Sequence, residues 1–276
     1  MQDKSILITG CSSGIGYDSA HALAKRGWRV FATCKQEKDC ERLRGEELES
    51  FVLDYSDSAT IRDAVAECLS RNGGKLGAVF NNGAFAIPGP LEDVPTDAMR
   101  AIFETNFFGW HDLTRQIIPV MRRQGHGRIV NCSSVLGLVA YPWRGAYNAT
   151  KFALEAASDT LRLELAETGI KVILIEPGPI ATDFRKNAIR QFEAWVDWEN
   201  SARVEQYRNS LLDQLYKGST ASRFELPPSA VTEKLIDALE SRRPKPRYFV
   251  TTPTYIANIL RRLLPTRALD WVVSRG

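Results

Sequence analysis

The chain has 276 residues, is 44% hydrophobic and 25% charged, and carries 36 basic against 33 acidic side chains for a formal charge of +3. Those proportions exclude a disordered, collagen-like or disulfide-scaffold protein. So even a charge balance also excludes a dedicated nucleic-acid binder, which concentrates a basic excess.

At about 150 residues per domain the length allows one large domain or two small ones. No Pro/Gly/Ser-rich linker or internal repeat divides the chain, so residues 1–276 read as a single domain. Met1 leads almost directly into the apolar run 5–9, without the charged-then-apolar leader of a signal peptide. No apolar run approaches the roughly 20 residues of a bilayer span. Cys11, Cys34, Cys40, Cys68 and Cys132 are odd in number and lack CxxC spacing, so no metal site is expected. They read as free thiols of a cytoplasmic protein.

From 5–9 onward, short β-branched runs alternate with longer helical patterns. Strands are predicted at 5–9, 29–33, 50–54, 78–81, 128–132, 171–176 and 247–250, and helices at 16–26, 58–70, 97–122, 146–168 and 229–240. Most strand runs are continuously apolar, as in strands covered on both faces. The alternation predicts an α/β fold, a doubly wound, mostly parallel seven-stranded sheet with helices on both faces. Ligands then bind beyond the carboxyl ends of its strands.

The turn Thr9-Gly10-Cys11-Ser12-Ser13-Gly14-Ile15-Gly16 joins the first strand to the first helix. Outward-pointing N–H groups at a helix start bind anions, and glycines let a pyrophosphate approach them. Gly10, Ser12, Ser13, Gly14, Ile15 and Gly16 are therefore candidate dinucleotide ligands. The second strand ends Thr33-Cys34-Lys35, with no acid to grip a ribose 2′-hydroxyl. A cation there favours the 2′-phosphate of NADP(H). Asp54, ending the third strand, is either an adenine contact or the N-cap of the next helix.

Further on, Ser133-Ser134 ends the fifth strand, and Tyr147 and Lys151 are spaced to share one face of the following helix. A cation beside a tyrosine favours the phenolate, so Lys151, with an oxidised nicotinamide, is expected to lower the Tyr147 pKa. Between 179 and 228 the alternation stops. Phe192, Trp195, Trp198, Tyr207 and Leu211 there suggest a helical lid before the last strand, mobile until cofactor binds. Apolar residues from Tyr255 to Leu264, with Arg261, Arg262 and Arg267 among them, predict a helical tail over 253–276. A packed helix, a dimer contact and peripheral membrane contact are all open for it.

Taken together, these motifs resemble the short-chain dehydrogenase/reductase family over about 4–178, with family-like organisation to about 250. Thr9–Gly16 is similar to TGxxxGxG, and Asn81-Asn82-Gly83-Ala84 stands where the family has NNAG. Asn106, Ser134, Tyr147 and Lys151 match the family's catalytic tetrad in order and spacing. Pro177-Gly178 with Thr182 resembles its PGxxxT segment. A looser likeness points to the branch of 17-beta-hydroxysteroid and retinol dehydrogenases and aldehyde reductases.

The resemblance implies a Rossmann-type sheet and an oxidoreductase moving hydride between NADP(H) and an apolar alcohol or carbonyl compound: an aldehyde, retinoid or steroid-like ketone. Tyr147 would be the acid/base and Ser134 a donor to the substrate oxygen. Lys151 would hold the nicotinamide ribose, and Asn106 would seat a water chain. Asn82, Pro177, Gly178 and Thr182 would contact the cofactor. The family also implies a homodimer or homotetramer through helices 97–122 and 146–168. The Gly83-Ala84 order departs from the family's Ala-Gly and would strain Ala84 if that position needs positive φ. The alternative function is a cofactor-binding regulator or scaffold on the same fold with little turnover.

Overall fold

A computed structural model describes residues 3–217 and 224–274. Among them, seven strands form: β1 (Ser5–Ile8), β2 (Arg29–Cys34), β3 (Glu49–Val52), β4 (Ala78–Asn81), β5 (Gly127–Cys132), β6 (Ile170–Glu176) and β7 (Arg247–Phe249). They pair in the order β3-β2-β1-β4-β5-β6-β7. Every pairing is parallel, so the sheet is wholly rather than mostly parallel. β1 and β4 are buried along their whole length, as the continuous apolar runs require. Strand order reverses beside β1, and this switch point opens a crevice beyond the strand ends.

Helices α1 (Gly14–Lys25), α2 (Glu37–Gly45) and α3 (Ser58–Arg71) link the first strands. Sequence periodicity misses α2, because it buries only Cys40 and Leu43. Its signal lies in charge: Glu37 and Asp39 in the first turn, Arg42 and Arg44 in the last, as the helix dipole favours. Asp57, not Asp54, caps α3, accepting from the Ala59 N–H at 2.9 Å.

The single helix predicted over 97–122 is interrupted. α4 (Thr96–Phe103) runs through a π-helical turn, Glu104–Phe108, into α5 (Gly109–Gln124). π-Bulges often mark functional positions, and Asn106 sits in this one. α6 (Gly145–Glu164) follows β5.

The insertion after β6 contains α7 (Phe184–Trp195), α8 (Val204–Gln206) and two further π-helical turns; α9 (Ser229–Glu240) then leads to β7. Phe192, Tyr207 and Leu211 are fully buried, packed with Ile87, Ile102 and Tyr147 in a second apolar core beside the main one. Tyr207 also hydrogen-bonds Asp93 at 2.8 Å. The aromatic side chains of the expected lid thus face inward in this structure, and from this packing we expect the segment to be anchored without cofactor. Limited proteolysis should leave 184–215 intact at the same rate with and without NADPH. Protection that appears only on adding NADPH would restore the mobile-lid reading.

The tail forms two helices, α10 (Thr252–Leu263) and α11 (Thr266–Val273), broken at Pro265. No helix among the described residues is long and apolar enough to cross a membrane.

Candidate active site

The glycine turn is a cradle shaped by close backbone contact. Gly10 and Gly14 have φ of +68° and +59°, and a Cβ on Gly10 would lie 2.7 Å from Gly83 Cα. On Gly14 it would meet Thr182, and on Gly16 it would meet Gly10 O at 2.3 Å. Asn82 locks the turn, donating to Thr9 O at 3.0 Å, while Gly178 packs on Thr251. Ala84 is not among the residues with positive φ, so the reversed Gly83-Ala84 order strains nothing. A cradle that glycine alone can form, at a helix start and at the switch point, fits a dinucleotide pyrophosphate.

That cradle opens into a cavity of about 920 Å³ lined also by Ser134, Tyr147, Lys151, Pro177 and Gly178. Val135, Leu136, Val139 and Tyr141 wall it as well. Phe192 instead lies in the second core, and its place at the wall is taken by Phe184, Ala188 and Leu215. The tail supplies an unforeseen outer wall through Ala257, Leu260, Leu269 and Val272. Their helical spacing was legible in the sequence, but the side of the fold they would cover was not.

Tyr147 is buried, and the Phe184 ring lies edge-on at 5.5 Å. Burial pushes the phenol above its ordinary value of 10; Cys132 adds to this and the Ser134 hydroxyl opposes it. Lys151 donates to Cys132 O at 2.8 Å and lies 4.4 Å from the centre of the Trp110 ring. Burial pushes its ammonium down to about 8. The lowering expected of Lys151 acts together with an oxidised nicotinamide and so concerns the loaded site. Here burial sets both directions, and the pair presents a protonated phenol beside a lysine whose ammonium is easier to deprotonate.

Asn106 acts on neighbouring backbone. Its side chain clamps the Phe85 backbone, donating to O at 2.8 Å and accepting from N at 3.1 Å, and it does not line the cavity.

At the adenosine end, Lys35 is not a lone cation, because it pairs with Asp54 at 2.8 Å. Burial alone would raise the Asp54 carboxyl, but Lys35 and the Ser56 donors hold it below its ordinary value. Neither residue lines the cavity. A second cation missed in the sequence, Arg42, reaches from α2 to Ser12 O at 2.6 Å and lies over the Tyr17 ring.

Behind the site, Arg247 on β7 bridges Glu155, Glu176 and Asp159. Glu155 is one helical turn beyond Lys151, and Glu176 directly precedes Pro177-Gly178. Burial and the Glu155 carboxylate push the Glu176 carboxyl well above its ordinary value.

The family model for short chain dehydrogenases matches residues 4–193. The uncharacterized oxidoreductase YbbO of Escherichia coli (strain K12) is 41% identical over 274 residues, covering 99% of this chain and 95% of that protein. The 17-beta-hydroxysteroid dehydrogenase type 6 of Bos taurus is 32% identical, covering 100% and 89%. A short chain dehydrogenase/reductase from Burkholderia phymatum, solved in complex with NAD, superposes with a TM-score of 0.78 at 25% identity, covering 98% of this chain and 95% of that one.

Proposed function

The chain belongs to the short-chain dehydrogenase family, and from that premise we propose that it is an NADP(H)-dependent oxidoreductase of apolar carbonyl compounds and alcohols. The observation that carries this reading is Tyr147: a buried phenol, kept protonated, at the wall of an apolar cavity that runs on from the dinucleotide cradle. In reduction, Tyr147 gives its proton to the carbonyl oxygen, and Ser134 holds that oxygen by a second hydrogen bond. Lys151 holds the nicotinamide ribose, and its easily lost proton replaces the one Tyr147 gives up. Asn106 acts as a positioning residue, fixing the Phe85 backbone in the loop that lines the cavity through Ala84 and Ala86. When bound, the dinucleotide supplies the hydride. The apolar walls keep water from the reacting carbonyl. The 17-beta-hydroxysteroid dehydrogenase among the relatives supports a steroid-like or aldehyde substrate.

The family does not itself fix the dinucleotide, since the Burkholderia relative holds NAD. Preference for NADP(H) rests on Lys35 and Arg42. Lys35 is mostly exposed and shared with Asp54, which puts its contribution at the low end of a charge-assisted contact, about 1.5 kcal/mol or roughly tenfold. The expected result is a kcat/KM about tenfold or more higher with NADPH than with NADH at low ionic strength. Lys35→Ala with Arg42→Ala should remove that preference. Equal use of both cofactors by the unaltered protein would refute it.

We further propose a cytoplasmic homodimer or homotetramer. Phe108 at the head of α5, with Phe152 and Leu163 on α6, are large apolar side chains left exposed on the two helices through which the family resemblance places the interface.

A further inference from the structure

Beyond the cradle and the Ser134-Tyr147-Lys151 group, the cavity wall carries a guanidinium close to the reacting centre. Arg144 lines the cavity three residues before Tyr147, at the start of α6. Groups so spaced on a helix lie roughly 5–6 Å apart at Cβ. The Arg144 side chain makes one hydrogen bond, to the carbonyl of its neighbour Trp143 at 3.2 Å. Four of its five N–H donors remain for a ligand. Arg144 pairs with no carboxylate among the described residues. By contrast Arg203, in the insertion after β6, is ion-paired with Glu92. The acid at the cavity rim, Glu225, is exposed and bonds neither Arg144 nor Arg185.

Two further features set Arg144 apart from a solvated surface arginine. Burial pushes its guanidinium below its ordinary value, with Tyr141 opposing, so a partly desolvated charge stands there without a carboxylate partner among the described residues. Trp143 before it has φ of +65°, a left-handed conformation that side chains other than glycine rarely adopt. That turn is held by the Gly89 N–H on Trp143 O at 2.9 Å and by the Tyr207 ring at 5.4 Å. The fold thus maintains a strained backbone beside a half-buried cation with no carboxylate partner among the described residues. Arg185, next to Phe184 at the mouth, adds a second guanidinium, with its Nε on Leu215 O.

We infer that Arg144 is a specificity residue that binds a carboxylate carried by the substrate itself. The substrate class is then an apolar carbonyl compound with an acid group on the same chain, such as an oxo fatty acid. This rests on the reductase reading above. A guanidinium fork matches a carboxylate in two parallel hydrogen bonds, which an ester or a hydroxyl cannot accept equally well.

The test compares ω-oxodecanoate with its methyl ester as substrates for the full chain with NADPH at low ionic strength. The expected result is a kcat/KM roughly tenfold or more higher for the acid, expressed mainly in KM, with Arg144→Met bringing the ratio close to one and Arg144→Lys lying between. An unaltered protein that prefers the ester, or an Arg144→Met variant that keeps the preference while still binding NADPH, would overturn the inference. Calorimetric binding of decanoate against methyl decanoate separates this from the reductase reading. If neither aldehyde is reduced, the reductase reading loses aliphatic aldehydes as its substrate class. In that case decanoate binding that Arg144→Met abolishes still upholds the carboxylate site, and equal binding of acid and ester rejects it.

Discussion

Replacing Tyr147 by Phe should lower turnover of any carbonyl substrate by about 10²–10⁴-fold, the usual contribution of a positioned general acid. NADPH affinity should change little. The substitution removes one oxygen and keeps the ring that packs against Phe184, so the second core stays filled. Burial holds the phenol protonated, so its proton is available for transfer across the neutral range. A variant retaining more than a tenth of the native rate would place the proton donor elsewhere. Lys151→Ala gives the internal comparison, since it should lose rate and NADPH affinity together.

Removing Arg247 should have the largest effect on stability. Arg247→Met leaves Glu155 and Glu176, 8% and 0% exposed, without their shared cation. Breaking a buried pair by deleting one partner costs about 3–5 kcal/mol. At roughly 2–4 °C per kcal/mol for a chain of this size, the melting temperature should fall by ten degrees or so.

The same cluster fixes a pH dependence. The folded Glu176 carboxyl titrates above its ordinary value of 4.5, so the folded state holds a proton that the unfolded state releases first. Stability is then lost as pH rises above 4.5 toward the raised value. Glu176→Gln should flatten that decline and be relatively more stable on its alkaline side. Denaturant unfolding across this range checks both variants. A loss below about 1 kcal/mol for Arg247→Met would mean the carboxylates find other partners or water.

Much of this organisation is legible in the sequence because it depends on local rules. Continuous apolar runs specify a parallel sheet. A glycine turn between strand and helix specifies the cradle, and spacing by four places Tyr147 and Lys151 on one helix face. What is not legible depends on tertiary contact. Lys35 reads as a lone cation until β2 and β3 pair and bring Asp54 to it. Phe192 and Trp195 read as lid aromatics because composition cannot say whether a face turns toward the cavity or into a second core. The sign of the Tyr147 shift is also invisible, since charge spacing along a helix carries no information about burial. Arg144 is visible as a residue but not as an unpaired one, because that requires knowing every acid near it.

On the proposed function, the cradle and Tyr147 together reduce carbonyl compounds. The most direct measurement mixes the purified chain with NADPH and a panel of apolar aldehydes and ketones, following NADPH and product alcohol together. The predicted result is one NADPH consumed per alcohol formed for at least one of these substrates. A protein that binds NADPH tightly yet consumes none with any of them would contradict the account and leave a cofactor-binding regulator on a dehydrogenase fold.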